Sequence, residues 1–332
     1  MSATDVEAVA QLNEARDKIY AEVGKVIIGQ REIVEQMLTA LLAGGHCLLV
    51  GVPGLAKTTL VQTLAKTLDL SFGRIQFTPD LMPSDITGTE VLEEDQESGR
   101  KAFRFLKGPV FSHMLLADEI NRTPPKTQAA LLQAMQEHAV TIGGETMALG
   151  EPFFVLATQN PIEQEGTYPL PEAQMDRFLM HVLVDYPAPE AERAILALSR
   201  QEALNEPTTK VEPLTQKSLF DARKQVNEIH MSEAVEEYLV QLILATRNST
   251  AYSGELGQWL DYGASPRATI ALDKCSRALA WMEGRDFVTP DDIRAVAHDV
   301  LRHRLILSFE AEAGGINANQ VIDKLIETVP SA

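Results

Sequence analysis

Cysteine is scarce in this chain: Cys47 and Cys275 are the two in 332 residues. They are far apart, and neither has a second cysteine nearby, which argues against a disulfide framework or a four-ligand zinc site. A reducing compartment, the cytoplasm, fits that usage. No apolar run approaches the length a bilayer span needs. A secretory leader is not expected either, because residues 1–18 are acidic and amphipathic rather than basic then apolar. Positive charge is also in short supply: 29 Lys and Arg stand against 47 Asp and Glu, a net charge of −18. Phosphate backbones demand a basic surface, so nucleic acid is not the expected partner. His298 and His303 have a ligand-like spacing but no further Cys or His pair to complete a metal site, and they read as ordinary helix histidines. Internal repeats and low-complexity tracts are absent.

What is present is an ordinary globular composition, 45% hydrophobic and 23% charged. The length exceeds what one core usually fills, so a large domain plus a smaller one is expected. Over the first half, short apolar runs alternate with helical patterns. His46–Val50, Met114–Ala117 and Phe153–Ala157 read as buried strands, Arg74–Thr78 alternates, and Phe178–Val184 is a fifth candidate. Continuous apolar strands separated by helices imply a five-stranded parallel sheet covered on both faces. Leu60, Leu64 and Leu68 form one helical stripe, and Thr123-Pro124 reads as a cap and first residue of a helix running to about His138. Gly143-Gly144 marks a tight hairpin, and Glu97–Arg100 a turn between strand-like flanks at 91–105. Pro187 and Pro189 break both helix and strand, dividing the chain into an α/β domain over 1–187 and a helical domain over 188–332. Helices are expected near 190–204, 215–228, 232–249, 265–283, 289–303 and 317–328, with Thr289-Pro290-Asp291-Asp292 a strong start.

Three motifs carry chemistry. Gly51, Val52, Pro53, Gly54, Leu55, Ala56, Lys57, Thr58 and Thr59 follow the first strand and open a helix. That is the context of a phosphate-binding loop: backbone N–H groups and the helix N-terminus meet phosphate, Lys57 reaches its oxygens, and Thr58 ligates Mg²⁺. Ala56 stands where the usual pattern has glycine. Asp118 and Glu119 end a buried strand, where adjacent carboxylates are costly unless used. Asp118 suits the Mg²⁺ shell, and Glu119 suits polarisation of an attacking water. One strand later, Asn160 before Pro161 offers an amide to the water or to the γ-phosphate.

Together with Val26-Ile27-Ile28-Gly29-Gln30, the string from Asp118 to Glu137, and Glu172-Ala-Gln-Met-Asp-Arg177-Phe178, these motifs resemble the MoxR family of AAA+ ATPases, of the helix-2-insert clade. The likeness runs from about residue 15 to 330, and the family often carries an alanine at the Ala56 position. It implies an AAA+ P-loop core followed by an all-helical lid, with ATP and Mg²⁺ as cofactors. It makes Asn160 sensor 1, Arg177 an arginine finger acting on a neighbouring subunit, and Arg267, after Ser265-Pro266, sensor 2 of the lid. The bland alternative for Arg177 is a surface salt bridge with Asp176 or a nearby acid. Arg267 also stands in a first helical turn, where the dipole disfavours a cation. Ile28, Gly29 and Gln30 would pack the adenine, and Arg122 is a further candidate for contact with nucleotide or a neighbour. The two hairpins match the helix-2 insert and the hairpin before sensor 1, within which Phe103 and Phe105 read as packing residues. The family implies a homo-oligomeric ring, a hexamer, doing chaperone-like work on client proteins, often ones with von Willebrand factor A domains. Two other readings stand beside this one: a nucleic-acid motor of a related clade, and a nucleotide-gated scaffold with little hydrolysis.

Overall fold

The computed structural model describes residues 31–51, 57–94, 101–161, 166–186 and 215–331, with isolated positions outside these spans. The Ile28–Gln30 and Val52–Ala56 segments, the 95–100 turn and most of the 190–204 helix lie outside the described residues.

In chain order the strands are β1 (Cys47–Gly51), β2 (Phe72–Gln76), β3 (Gly88–Glu94), β4 (Lys101–Lys107), β5 (Met114–Asp118), β6 (Ala139–Ile142), β7 (Glu145–Ala148), β8 (Phe154–Gln159) and β9 (Met180–Val184), with β10 (Leu260–Tyr262) and β11 (Ile306–Leu307) further on. Five of them form one parallel sheet in the order β2-β5-β8-β1-β9. Side chains alternate between its faces. Leu49, Leu116 and Leu156 point into one apolar cluster, while Leu48, Leu115 and Val155 point into another. Both faces are therefore covered, which explains why the strands are apolar without a break.

The first cluster also takes in helices α1 (Arg31–Leu42) and α2 (Lys57–Thr67), and the second the helix α3 (Pro125–Glu137). Helix α3 begins one residue later than Thr123-Pro124 suggested. Pro124 is its cap residue, Pro125 its first position, and the buried Thr123 hydroxyl does no capping. The two hairpins are β3–β4 and β6–β7. Gly143 (φ 60°) and Gly144 (φ 87°) make the second turn as expected. A side chain at Gly143 would come within 2.7 Å of Glu90 Oε1, so the two hairpins touch there. Phe105 packs edge-on against Phe111, 5.7 Å between centroids, whereas Phe103 is 73% exposed and is not a packing residue.

Beyond the sheet the described chain is helical: α4 (Gln216–Glu228), α5 (Glu233–Arg247), α6 (Pro266–Met282), α7 (Pro290–Leu301) and α8 (Ala318–Thr328). Thr215, Ser232, Ser265 and Asn317 cap their helices through side-chain oxygens, and Asp292 closes a capping box with Thr289. Leu219, Leu239, Leu272 and Val296 of these helices join the first sheet cluster, so the helical region and the sheet share one core. The small β10–β11 ladder is an addition to the helical pattern.

Candidate active site

The sheet order sets the site. β8 lies between β5 and β1, and the three strands run parallel. Their C-terminal ends therefore lie side by side, at the place where open α/β sheets bind ligands. Gly51 ends β1, Asp118 ends β5, and Asn160 follows β8. Lys57 and Thr58 open α2, where free N–H groups and the helix dipole favour an anion.

The Lys57 ammonium donates to the Gly51 carbonyl at 2.7 Å. Burial lowers its pKa, while the charges of Asp118 and Glu119 act the other way. The cation thus stands half-buried, facing the acid pair. Thr158 ties that pair together: its hydroxyl donates to Asp118 Oδ1 at 2.7 Å and accepts from the Glu119 N–H at 2.9 Å. Glu119 itself sits in the left-handed region (φ 57°, ψ 52°), an uncommon and costly conformation for a residue with a side chain. That turn swings its carboxylate toward β2, where Gln76 Nε2 donates to Oε2 at 2.9 Å and Arg122 Nε pairs with the same oxygen at 2.9 Å. Arg74 holds Asp118 Oδ2 at 2.8 Å. Asn160 is buried beside them, 6% exposed.

The donor set fits a nucleotide with a hard cation. Thr58 and Asp118 supply oxygen ligands of the type Mg²⁺ takes, few in number, as when phosphate oxygens complete the shell. Among the described residues no group of three or more His, Cys, Asp or Glu could hold a metal by itself. His298 pairs with Asp323 at 2.9 Å, and the buried His303 ring lies 3.1 Å from the Phe178 carbonyl. Both cysteines are free and buried; burial pushes the Cys275 thiol up to about 12 and raises Cys47 as well, so neither is a nucleophile.

Arg177 and Arg267 are brought together, but away from Lys57. Both line a cleft of about 230 Å³ with Gly44, Gly45, Lys274 and Arg304. Gly44 and Gly45 precede β1, whereas the phosphate-loop motif follows it. Five to six residues of extended chain separate the two places, about 15 Å or more. Arg177 donates to the Leu132 carbonyl at 3.2 Å, and its Nε is buried with no hydrogen-bond partner. Asp176 is taken up by Ser265, Arg267 and Arg304. Arg74, Gln76 and Thr158 were not among the expected site residues, yet they are the neighbours of the acid pair. Thr158 lies between the Phe153–Ala157 strand and Asn160, and Arg74 and Gln76 lie within the alternating Arg74–Thr78 strand, but none carries a local signal of its role.

The model of the ATPase family associated with various cellular activities (AAA) matches residues 46–180, and that of the AAA lid domain matches residues 258–325. Among curated proteins, the chain is 44% identical to Chaperone MoxR1 of Mycobacterium tuberculosis, over 97% of this chain and 84% of that one. It is 32% identical to Protein MoxR of Paracoccus denitrificans, over 93% of this chain and 94% of the relative. A crystal structure from Cytophaga hutchinsonii, provisionally described as an ATPase, superposes with a TM-score of 0.91 at 45% identity, over 99% of this chain and 98% of that one.

Proposed function

Because this chain belongs to the MoxR family of AAA+ ATPases, a nucleotide-binding family with chaperone-named members, we propose that it hydrolyses ATP by in-line phosphoryl transfer to water and uses the cycle to remodel client proteins. The observation that carries this reading is the split of the machinery. Lys57, Asp118 and Glu119 stand at the C-terminal end of the parallel sheet, whereas Arg177 and Arg267 line the cleft beside Gly44 and Gly45, ahead of β1. One subunit then holds the phosphate cradle and the water-activating acid, and presents its cationic cleft to the nucleotide of the next.

In this account Lys57 and the first turn of α2 bind the β and γ phosphates. Thr58 and Asp118 would hold Mg²⁺, which would supply positive charge against that developing on the phosphoryl oxygens. Glu119, whose backbone is fixed by Thr158, orients and polarises the water, with Asn160 alongside. Arg177, with Arg267, stabilises the transition state from the neighbouring subunit. Ile28, Gly29 and Gln30 would pack the adenine. The domains divide near 187, and nucleotide turnover shifts the helical lid against the core. The assembly is a homo-oligomeric ring, a hexamer, and its clients include proteins with von Willebrand factor A domains. It works in the cytoplasm, in line with two free thiols; among the described residues no helix is long and apolar enough to cross a membrane.

Steady-state hydrolysis by Glu119→Gln tests this. The variant is expected to bind ATP as tightly as the parent and to lose activity by about 100-fold or more. Turnover equal to the parent's would remove the water-activating role of Glu119, and equal turnover close to zero would leave a nucleotide-gated scaffold.

A further inference from the structure

The segment 176–179, which carries Arg177, joins the sheet side to the helical region: Arg177 and Leu179 donate to the Leu132 and His46 carbonyls and Phe178 packs in the second apolar cluster, while Asp176 and the carbonyls of Phe178 and Leu179 are taken up by the helical region. Arg304, from the turn after α7, is 2% exposed in its side chain. Its guanidinium donates to Asp176 Oδ1 at 2.8 Å, to the Phe178 carbonyl at 2.7 Å, to the Leu179 carbonyl at 3.1 Å and to the Asp176 carbonyl at 3.3 Å. The other carboxylate oxygen of Asp176 accepts from Ser265 Oγ at 2.9 Å and pairs with Arg267 Nη1 at 3.3 Å. Ser265 in turn caps α6, the helix whose first turn bears Arg267. One carboxylate thus gathers three side chains of the helical region onto the residue preceding Arg177.

Stability is a poor reason for such an arrangement. Desolvating a guanidinium and a carboxylate costs several kcal/mol, which their attraction repays only with excellent geometry. A buried, fork-shaped contact does fix geometry well, because the planar guanidinium meets its acceptors in set directions. The cleft beside it holds Arg177, Arg267 and Lys274, with Asp176 as its carboxylate, and that carboxylate is already shared with Arg304. An anion entering the cleft would meet cations whose spacing Asp176 sets.

We propose that Asp176 and Arg304 are positioning residues for ATP hydrolysis: they fasten the Arg177 segment to the helical lid, so that Arg177 and Arg267 reach the neighbouring nucleotide as one unit that moves with the lid. The proposal rests on the reading that Arg177 acts on a neighbouring subunit. It makes lid rotation in one subunit the signal that aligns or withdraws the finger at the next site.

The test is the turnover of Asp176→Asn and Arg304→Lys, alone and mixed with Glu119→Gln. Each is expected to lose roughly 10- to 100-fold in kcat, the scale of a misplacement near 1 Å, with KM for ATP held within about twofold. Mixing with Glu119→Gln should restore activity, because that subunit brings an intact Arg177 segment to the sound hydrolytic site of the variant. A purely structural defect would not be rescued in this way. Normal kcat, or a loss that Glu119→Gln does not rescue, overturns the proposal. Arg177→Ala mixed with Glu119→Gln runs alongside. If that pair fails to complement, the neighbouring-subunit reading is itself wrong; if it complements and the Asp176 and Arg304 variants do not, this proposal alone fails. Should Asp176→Asn not fold, Ser265→Ala removes one anchor of the carboxylate. It must then show the same smaller, rescuable loss, and parent-like turnover would count against the proposal.

Discussion

The hydroxyl of Thr158 bridges the acid pair: it donates to the carboxylate of Asp118 and accepts from the backbone N–H of Glu119. Asp118 sits on β5 and Thr158 on the neighbouring β8, so strand register rather than local sequence sets this contact. It holds the Asp118 carboxylate directly and stabilises the left-handed turn at Glu119, whose carboxylate is then held by Gln76 and Arg122.

Thr158→Val keeps the shape and removes both hydrogen bonds. The Glu119 N–H loses its acceptor, so stability should fall by about 1–3 kcal/mol. The kcat should fall by roughly 10-fold or more as Glu119 loses its aim, with a smaller effect on KM. Thr158→Ser should retain most activity. Denaturant melts and initial-rate kinetics on the three proteins decide this.

Acid sensitivity follows from the buried histidines. Burial lowers His46 to about 4 and His181 to about 4, and holds His303 well below its ordinary value. In the unfolded chain each titrates near 6.5. As pH falls through 6.5, the unfolded state takes up protons that the folded state refuses, so stability present above that pH is lost down toward pH 4. The slope is up to about 1.4 kcal/mol per pH unit for each histidine. His181, whose ring nitrogens have no hydrogen-bond partner, gives the clean test. His181→Phe should flatten the dependence by close to one proton, as read from melts at several pH values between 7 and 5.

Asp292 anchors α7. Its carboxylate accepts from Thr289 N at 2.7 Å, Thr289 Oγ1 at 2.8 Å and Arg285 Nη1 at 2.7 Å. Burial alone would raise its pKa, but these partners outweigh it and the net shift is downward. Asp292→Ala removes the capping box and the main counter-charge of the partly solvated Arg285, which keeps Glu283, and should cost about 1–2 kcal/mol. Turnover per folded subunit should be unchanged, since the residue lies in neither candidate cleft. Thermal melting beside kcat separates the two effects.

The sheet was legible because it is buried on both faces: Leu48-Leu49, Leu115-Leu116 and Val155-Leu156 make continuous apolar runs that only a covered parallel sheet needs. The helix starts were legible where a side chain caps, as at Ser265 and Asn317. Where Thr123 is buried and caps nothing, the predicted start slipped by one residue. The β10–β11 ladder is too short for any periodicity to show. At the acid pair, Asp118 and Glu119 were legible as charge at the end of an apolar strand. Arg74 and Gln76 were not, because they reach the pair across strands about forty residues apart in sequence. The company of Arg177 and Arg267 was equally hidden, since it depends on how the helical region folds back onto the start of β9.

A site shared between subunits shows itself in hydrolysis measured against protein concentration for the parent and for Arg177→Ala. Specific activity should rise with concentration, and Arg177→Ala should bind ATP but lose on the order of 10³-fold in turnover. Activity that does not depend on concentration and survives Arg177→Ala would contradict it, and would mean that one chain holds a complete site.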